Sequence, residues 1–279
     1  MHLNFRQSQR AAFPYYDRLY RRRGGVVQEM QGNSGSVISL TYDRVLQETR
    51  RRLDKTRQEF RKTEEQQTTR EVYEDGEFVA AFLAKNGRGG DREISPRIRN
   101  FAAALARPRV IDVGCGPGIH ARQMAALGLE VVAIGYSEAM IYAAQAVSPH
   151  EGITYKHLDM RKIGNAFPAS SFDGAWVSAS LIHVPQPDVP QVLSGIRRVL
   201  AANGMARITL KAGTQGARTV TDDKYGVVVN REFVFCEEAN FTHLLRNAGF
   251  DIVNVEMQTG GITGTEPTRW LRYLARAAK

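Results

Sequence analysis

Short apolar runs rich in β-branched residues recur from residue 109 onward, and segments with helical periodicity stand between them. The run at residues 109–111 is typical of a buried parallel strand, and the residues after it predict a helix over 119–127 that ends at Gly128. Further strands are predicted at residues 129–134, 171–177 and 206–210. Strands that alternate with helices in this way indicate an α/β fold.

A glycine-rich turn joins the first strand to its helix, and it consists of Asp112, Val113, Gly114, Cys115, Gly116, Pro117 and Gly118. Such a turn presents free backbone N–H groups at a helix N-terminus, where an anionic or polar ligand group is stabilised. Three glycines spaced two apart leave no Cβ between the backbone and a bound cofactor. A dinucleotide-binding loop has its third glycine one position later, where this chain has Ile119. A tight turn without a ligand is the alternative interpretation.

The Asp-x-Gly-x-Gly-x-Gly turn resembles motif I of the class I S-adenosylmethionine-dependent methyltransferases, of the type 11 kind, and later segments resemble the family in the same order. Residues 136–140 resemble the start of its second helix, with Ser137 as N-cap, and residues 157–160 resemble its acidic adenine-contacting turn. The resemblance implies S-adenosyl-L-methionine as cofactor, bound by Asp112, Gly114, Cys115, Gly116, Gly118, Tyr136, Ser137, Met140, Asp159, Met160 and Ser178.

The same resemblance implies a Rossmann-like, doubly wound, seven-stranded sheet with a terminal antiparallel strand pair at residues 250–258 and 268–274. It covers residues 97–279 as the methyltransferase domain and leaves residues 1–96 as an extension, irregular at first and then helical as far as Leu83. Residues 211–230 are a polar insertion whose length suits a functional loop. Tyr225, Arg231 and Phe233 are candidates to face a substrate there, although the phenylalanine also suits an ordinary core.

One position departs from the family pattern. Gly135 stands where the second strand of the family ends in an acidic residue that accepts hydrogen bonds from the ribose hydroxyls. The loss of a charged acceptor costs about 1.5–3 kcal/mol, or roughly 10- to 150-fold in affinity. Glu138 is a candidate substitute. Three explanations are open: weakened cofactor binding, an altered cofactor and lost catalysis. Weakened binding is favoured, because the three glycines of the turn, Asp112 and Asp159 all remain.

His183 is the candidate catalytic residue. The methyl group on a sulfonium is electrophilic, so that orientation of the acceptor supplies several kcal/mol by itself, and a base helps where the acceptor is a hydroxyl or an ammonium. His183 follows the fourth strand, at the sheet edge where open α/β folds bind ligands, and imidazole titrates near neutrality. A structural residue of the turn at 181–184 is the alternative.

The N-terminal extension carries most of the excess positive charge. The chain has a net charge of +9, and residues 1–70 hold 15 basic and eight acidic residues. The family resemblance implies a lid over the cofactor, with Tyr42 similar to the tyrosine that precedes the family core. An oligomer through the helix predicted over 42–67 is another expectation. Aromatic residues interleave with arginines in a composition suited to RNA, and these are Phe13, Tyr15, Tyr16 and Tyr20.

Composition limits the remaining classes of function. With 279 residues and 43% hydrophobic content, the chain is long and apolar enough for a full α/β core. We expect no membrane association, because no run approaches the roughly 18 apolar residues of a span and no signal-peptide core is present. Two cysteines and scattered histidines indicate a cytoplasmic protein without a metal site. The sequence predicts an enzyme that methylates a small molecule; an RNA-directed methyltransferase and a non-catalytic partner with this fold are the alternatives.

Overall fold

A nine-stranded mixed sheet with helices on both faces is the centre of the structure, a computed structural model that describes residues 69–86, 93–223, 225–263 and 266–278. All of these residues belong to one compact unit. The helices are α1 (Thr69–Glu74), α2 (Gly76–Asn86), α3 (Pro96–Ala103), α4 (Ile119–Ala125), α5 (Glu138–Val147), α6 (Ile163–Ala166), α7 (Val189–Val199) and α8 (Glu238–Asn247). The strands are β1 (Arg109–Val113), β2 (Glu130–Gly135), β3 (Ile153–His157), β4 (Phe172–Ser178), β5 (Leu200–Ala212), β6 (Gly216–Asp222), β7 (Val229–Cys236), β8 (Phe250–Thr263) and β9 (Glu266–Ala277).

The predicted seven-stranded arrangement is present in the order β3-β2-β1-β4-β5-β9-β8. The first five strands are parallel, whereas β9 runs antiparallel between β5 and β8 as the predicted terminal pair. The strand order reverses between β1 and β4. In open α/β sheets the ligand crevice lies beyond the carboxyl ends of the strands at this reversal, so the glycine turn after β1 stands at the expected binding edge.

The insertion predicted as a polar loop contains two further strands. Residues of β6 and β7 pair as an antiparallel hairpin, and the end of β7 pairs with Lys211 and Ala212 of β5. Gly216, at the start of β6, has a φ of 149°. The hairpin therefore extends the sheet at the carboxyl end of β5, where it borders the ligand crevice.

Both faces of the central strands are buried, which explains their continuous apolar runs. Ile111 of β1 packs into the core on one face, together with Ile196 of α7 and Phe241 of α8. Its neighbour Val110 packs on the opposite face, together with Phe101 of α3. The strands are thereby fixed between two helical layers, and their carboxyl ends are held at one edge.

Helices α1 and α2 pack beside this edge rather than on the main core. Val72 of α1 and Phe78 of α2 are fully buried and form a small cluster with Val229 of β7. The hydroxyl of Thr69 accepts a 2.7 Å hydrogen bond from the backbone N–H of Glu232 in β7. The end of the predicted extension is thus helical, whereas the helix predicted over 42–67 lies outside the described residues. The helical pair joins the hairpin to the start of α5.

Candidate active site

The glycine turn after β1 has an open face. Gly114, Gly116 and Gly118 all have positive φ, at 76°, 52° and 76°. A Cβ at Gly114 would overlap the side chain of Ser180, whereas nothing lies within 4 Å of the position of a Cβ at Gly116. Left-handed backbone of this kind favours glycine. The turn is thus closely packed on one side and leaves free space for a ligand beside Gly116.

Asp112 places a buried carboxyl group beneath this turn. It is 1% exposed, and burial raises its pKa to about 7, although a hydrogen bond from the Ala121 amide opposes the shift. Its Oδ2 atom has no hydrogen-bond partner among the described residues. A buried acceptor without a donor is costly, so this oxygen is a candidate to accept a hydrogen bond from a ligand. The side chain of Cys115 instead packs into the core, where burial raises the pKa of its thiol.

The start of α5 holds three of the predicted cofactor residues. Ser137 is the N-cap, as predicted, because its hydroxyl accepts a 2.9 Å hydrogen bond from the amide of Met140. The same hydroxyl donates to the carbonyl of Tyr73, at 2.7 Å. Met140 is buried, and the ring of Tyr136 lies 6.4 Å from that of Tyr73 in an edge-on arrangement. These residues lie together at the carboxyl end of β2, although Met140 faces the core.

Glu74 adds a carboxylate to this helix terminus that the sequence did not indicate. Its two oxygens accept hydrogen bonds from the amides of Glu138 and Ala139, at 3.1 and 3.2 Å. An acidic group at a helix N-terminus satisfies free amides and complements the helix dipole. The side chain of Glu138 is exposed. The carboxylate held at the start of α5 therefore comes from α1.

Gly135 itself is in an ordinary extended conformation. Its φ lies outside the left-handed region, and its carbonyl accepts a 2.9 Å hydrogen bond from the amide of Leu158. A Cβ there would lie 3.3 Å from Cδ1 of Ile141. A side chain at this position thus meets one flexible apolar neighbour and no backbone strain.

The acidic turn after β3 is held by an ion pair. Asp159 accepts hydrogen bonds from the guanidinium of Arg161 at 2.6–3.1 Å, and Arg161 also contacts Asp188 at 2.9 Å. Burial alone would raise the pKa of Asp159, but the hydrogen bonds from Arg161 outweigh it and lower the pKa. Met160 is buried beside this turn. The aspartate is therefore ionised and fixed in orientation at the edge of the crevice.

His183 forms a partly buried relay with residues from other elements. Its Nδ1 lies 3.1 Å from the carbonyl of Glu232, and its Nε2 lies 3.2 Å from the hydroxyl of Tyr73. Because a carbonyl only accepts, Nδ1 carries the proton and Nε2 accepts from Tyr73. The Tyr73 oxygen in turn accepts a 3.1 Å hydrogen bond from Arg231. Burial lowers the pKa of His183 to about 4, with a further contribution from Arg231, so the ring is neutral at pH 7.

Ser178 is the last residue of β4, and the segment that follows it crosses the carboxyl edge of the sheet. The next residue, Ala179, has a φ of 55°, which is strained for a residue with a Cβ. The hydroxyl of Ser180 then donates a 2.6 Å hydrogen bond to the carbonyl of Val113. The crossing segment is thereby tied to the last residue of β1, directly before the glycine turn.

The structure adds Tyr73 to the predicted set of site residues. The sequence signal that was missed is a tyrosine followed by an acid, Tyr73-Glu74, inside an apolar helical stretch. Tyr42 and the aromatic residues of the basic extension lie outside the described residues, so the predictions about them remain untested. Within the described ranges, no helix is both long and apolar enough to cross a bilayer, and no three His, Cys, Asp or Glu side chains gather as a metal site.

Comparisons with known proteins agree with this geometry. Residues 111–208 match the family described as Methyltransferase domain. A ubiquinone biosynthesis O-methyltransferase from Hahella chejuensis is 37% identical over 100 residues, which are 34% of this chain and 42% of that relative. The chain thus spans less than half the length of this curated relative.

Solved structures show the same fold. A SAM-dependent methyltransferase from Methanosarcina mazei is 18% identical with a TM-score of 0.58, over 67% of this chain and 99% of that one. The 1,6-didemethyltoxoflavin-N1-methyltransferase of Burkholderia thailandensis, with 1,6-didemethyltoxoflavin and S-adenosylhomocysteine bound, is 21% identical with a TM-score of 0.53, over 73% and 90%. The family match therefore runs from β1 into β5, and these solved structures with the same fold are S-adenosylmethionine-dependent methyltransferases.

Proposed function

We propose that this protein transfers the methyl group of S-adenosylmethionine to a small-molecule acceptor. The observation that carries the proposal is the relay of Tyr73, His183 and Arg231, which three separate elements bring to the carboxyl edge of the sheet. The names of the relatives support a small acceptor, since one is a ubiquinone biosynthesis enzyme and another was solved with 1,6-didemethyltoxoflavin.

The cofactor would be held by the residues around the glycine turn. When bound, it supplies an electrophilic methyl group on a sulfonium. The open face at Gly116 accommodates close approach, and the free oxygen of Asp112 accepts a hydrogen bond. Tyr136, at the end of β2, and the buried Met160 supply apolar surface for the adenosine part. These residues bind and orient, which is the main requirement for an in-line displacement.

Tyr73 is the group that would accept the proton of the acceptor. Both nitrogens of His183 are engaged, so a substrate reaches this imidazole only through the Tyr73 oxygen. The acceptor proton would pass to that oxygen as the Tyr73 proton passes to Nε2 of His183. A histidine with a pKa of about 4 is a weak base. It suffices, because a hydroxyl becomes strongly acidic as its oxygen is alkylated.

Aromatic rings from several elements surround Tyr73. Its ring centroid lies 5.3 Å from that of Phe78 and 5.4 Å from that of His183, both in edge-on contacts. Tyr225, from the hairpin, packs 4.9 Å from Phe82. An aromatic cluster of this kind suits a small acceptor better than a macromolecule. The RNA alternative depends on residues outside the described ranges, and the geometry offers it no separate support.

A methylation screen tests the proposal. Purified protein is incubated with S-adenosylmethionine and a panel of phenols, catechols, amines and carbon acids, and mass spectrometry follows S-adenosylhomocysteine and the methylated products. We expect turnover of at least one small acceptor and loss of turnover in Tyr73→Phe. Methylation of RNA alone would support the RNA-directed alternative. Cofactor binding without transfer to any acceptor would support the non-catalytic alternative.

A further inference from the structure

A cavity of about 180 Å³ lies on the α3 face of the sheet, beside the predicted cofactor residue Ser178. Paired residues of neighbouring strands line its base. Trp176 of β4 pairs with Arg207 of β5, and Ser178 pairs with Thr209. Thr209 is in turn level with Arg272 of β9. The cavity therefore begins at the carboxyl end of β4 and extends sideways across β5 to β9.

Positive charge dominates this cavity. Arg97, at the start of α3, lines it together with Arg207 and Arg272. The charge of Glu256 acts on Arg207 and Arg272, and its Oε2 lies 3.7 Å from Nη2 of Arg207. Burial lowers the pKa of Arg207 and of Arg272, and the charge of Arg97 lowers both further. Three cations around one carboxylate leave a net positive charge that a bound anion would neutralise.

Several donors in the cavity lack a partner. Arg207 is only 9% exposed, and its Nη2 atom has no hydrogen-bond acceptor within the described part of the chain. The same is true there of Nε of Arg272 and of the indole N–H of Trp176. Buried donors are nearly always satisfied, and leaving them without acceptors costs about 1–3 kcal/mol each. The orphaned donors thus point to an acceptor-rich ligand group.

We propose that this arginine cavity binds a carboxylate or phosphate group carried by the methyl acceptor, an inference that rests on the proposed function. Guanidinium groups bind both anions in planar, two-point geometry. The volume is below the roughly 300–1,000 Å³ of whole-ligand pockets, so the cavity suits one charged end of a molecule whose nucleophile lies above Ser178.

The position of the cavity argues against the carboxylate of the cofactor itself as its occupant. The glycine turn follows β1, whereas Arg272 lies on β9, three strands away. Neighbouring strands are 4.7–4.9 Å apart, which places the two about 14 Å from each other. The cavity therefore begins beside the cofactor turn, where His120 lines it, and its end at Arg272 lies on the far side of β5.

Inorganic phosphate probes the cavity directly. The protein saturated with S-adenosylhomocysteine is titrated with phosphate by calorimetry, at an ionic strength held constant with chloride. We expect saturable binding that is roughly 10- to 100-fold weaker in Arg272→Gln and in Arg207→Gln, since each removes a charged hydrogen-bond donor. Arg276→Gln is the matched control, an exposed arginine of the same strand outside the cavity, and should bind like wild type. Equal binding by all variants, or none by wild type, would overturn the proposal.

A second measurement distinguishes the sources of the anion. Catechol and 3,4-dihydroxybenzoate differ by one carboxylate, and we expect the latter to bind the S-adenosylhomocysteine complex more tightly, with the difference lost in Arg272→Gln. If phosphate binds through Arg272 but the two catechols bind alike, the site takes free phosphate and the acceptor assignment is wrong. If phosphate instead displaces S-adenosylhomocysteine, the cavity holds the cofactor carboxylate, which also overturns the proposal.

The same data distinguish this inference from the proposed function. Failure of the proposed function would appear as absent cofactor binding or absent turnover with every acceptor. Failure of the anion site would appear with cofactor binding intact. Because Arg207 is buried, circular dichroism accompanies each variant, and the more exposed Arg272 decides the result if Arg207→Gln does not fold.

Discussion

The hydroxyl of Tyr73 lies 3.2 Å from Nε2 of His183, although 110 positions separate the two residues in the chain. This contact joins α1, which packs against the start of α5, to the turn that follows β4. It also changes the role expected of the histidine, because the ring has no free nitrogen for direct contact with a substrate. Tyr73 is the catalytic residue of this account, and His183 acts through it.

Removal of the Tyr73 hydroxyl should therefore lower kcat more than it weakens cofactor binding. Positioned acid–base groups contribute roughly 10²–10⁴-fold, so Tyr73→Phe should lose about 100-fold in kcat. Calorimetry should show nearly unchanged affinity for S-adenosylhomocysteine. Tyr142→Phe, on α5 and outside the relay, is the matched control. Equal kcat in both variants would show that the relay has no part in proton transfer.

The pKa of Asp112 predicts a pH dependence of cofactor affinity. A cationic ligand favours the ionised carboxylate, whereas the proton competes with it below a pKa of about 7. Affinity should therefore fall roughly tenfold more in wild type than in Asp112→Asn as the pH is lowered from 8 to 6. Calorimetric titration with S-adenosylhomocysteine at several pH values measures this difference. Parallel profiles would mean that Asp112 does not contact the ligand.

The Asp112 carboxyl group should also make the free energy of unfolding depend on pH. Stability should fall as the pH rises, whereas cofactor affinity should increase. The folded protein retains the Asp112 proton up to about pH 7, whereas the unfolded chain releases it near 3.8. Raising the pH through this window hence favours the unfolded state. Asp112→Asn should remove that part of the pH dependence in urea titrations, and a slope identical to that of wild type would contradict the raised pKa.

Gly135→Asp tests whether the missing ribose acceptor limits affinity. The backbone there tolerates a side chain, and the new Cβ meets Cδ1 and Cγ1 of Ile141, at 3.3 and 3.6 Å. An added carboxylate should tighten S-adenosylmethionine binding by up to roughly 10- to 150-fold. Gly135→Ala is the control, since it carries the steric cost without the charge. If Glu74 already serves the ribose, Gly135→Asp will bind tighter only when combined with Glu74→Ala.

Glu74 should stabilise the fold through the helix that it caps. Its carboxylate accepts from two amides at the start of α5, and caps of this kind contribute about 0.5–2 kcal/mol. Glu74→Ala should therefore lower the free energy of unfolding by about 1 kcal/mol, measured with urea. Glu151→Ala, at an exposed turn position, should change it little. Equal stabilities would exclude a capping role.

Local signals made the core of the fold predictable. The glycine turn and the apolar strands on either side are specified by turn chemistry and hydrophobic runs, so β1, α4 and β2 form where the sequence indicates. The polar composition and the length of residues 211–230 predict a loop, whereas the structure has β6 and the first residues of β7 there. Pairing with the end of β5 provides the order that the segment itself does not signal.

The candidate site was only partly predictable for a different reason. Arg207 and Arg272 become neighbours through the register of β5 and β9, and no local pattern fixes that register. Tyr73 meets Arg231 across 158 positions for the same reason. Residues that depend on tertiary pairing, rather than on turns or periodicity, are those that the sequence left unassigned.

Cofactor binding is the central claim, and calorimetric titration of the purified protein with S-adenosylmethionine and S-adenosylhomocysteine tests it most directly. The account predicts one saturable site per chain for each compound. Gly116→Val should abolish that site, because its side chain would fill the open space in the glycine turn. The absence of binding of either compound at millimolar concentration, in a folded protein, would contradict it.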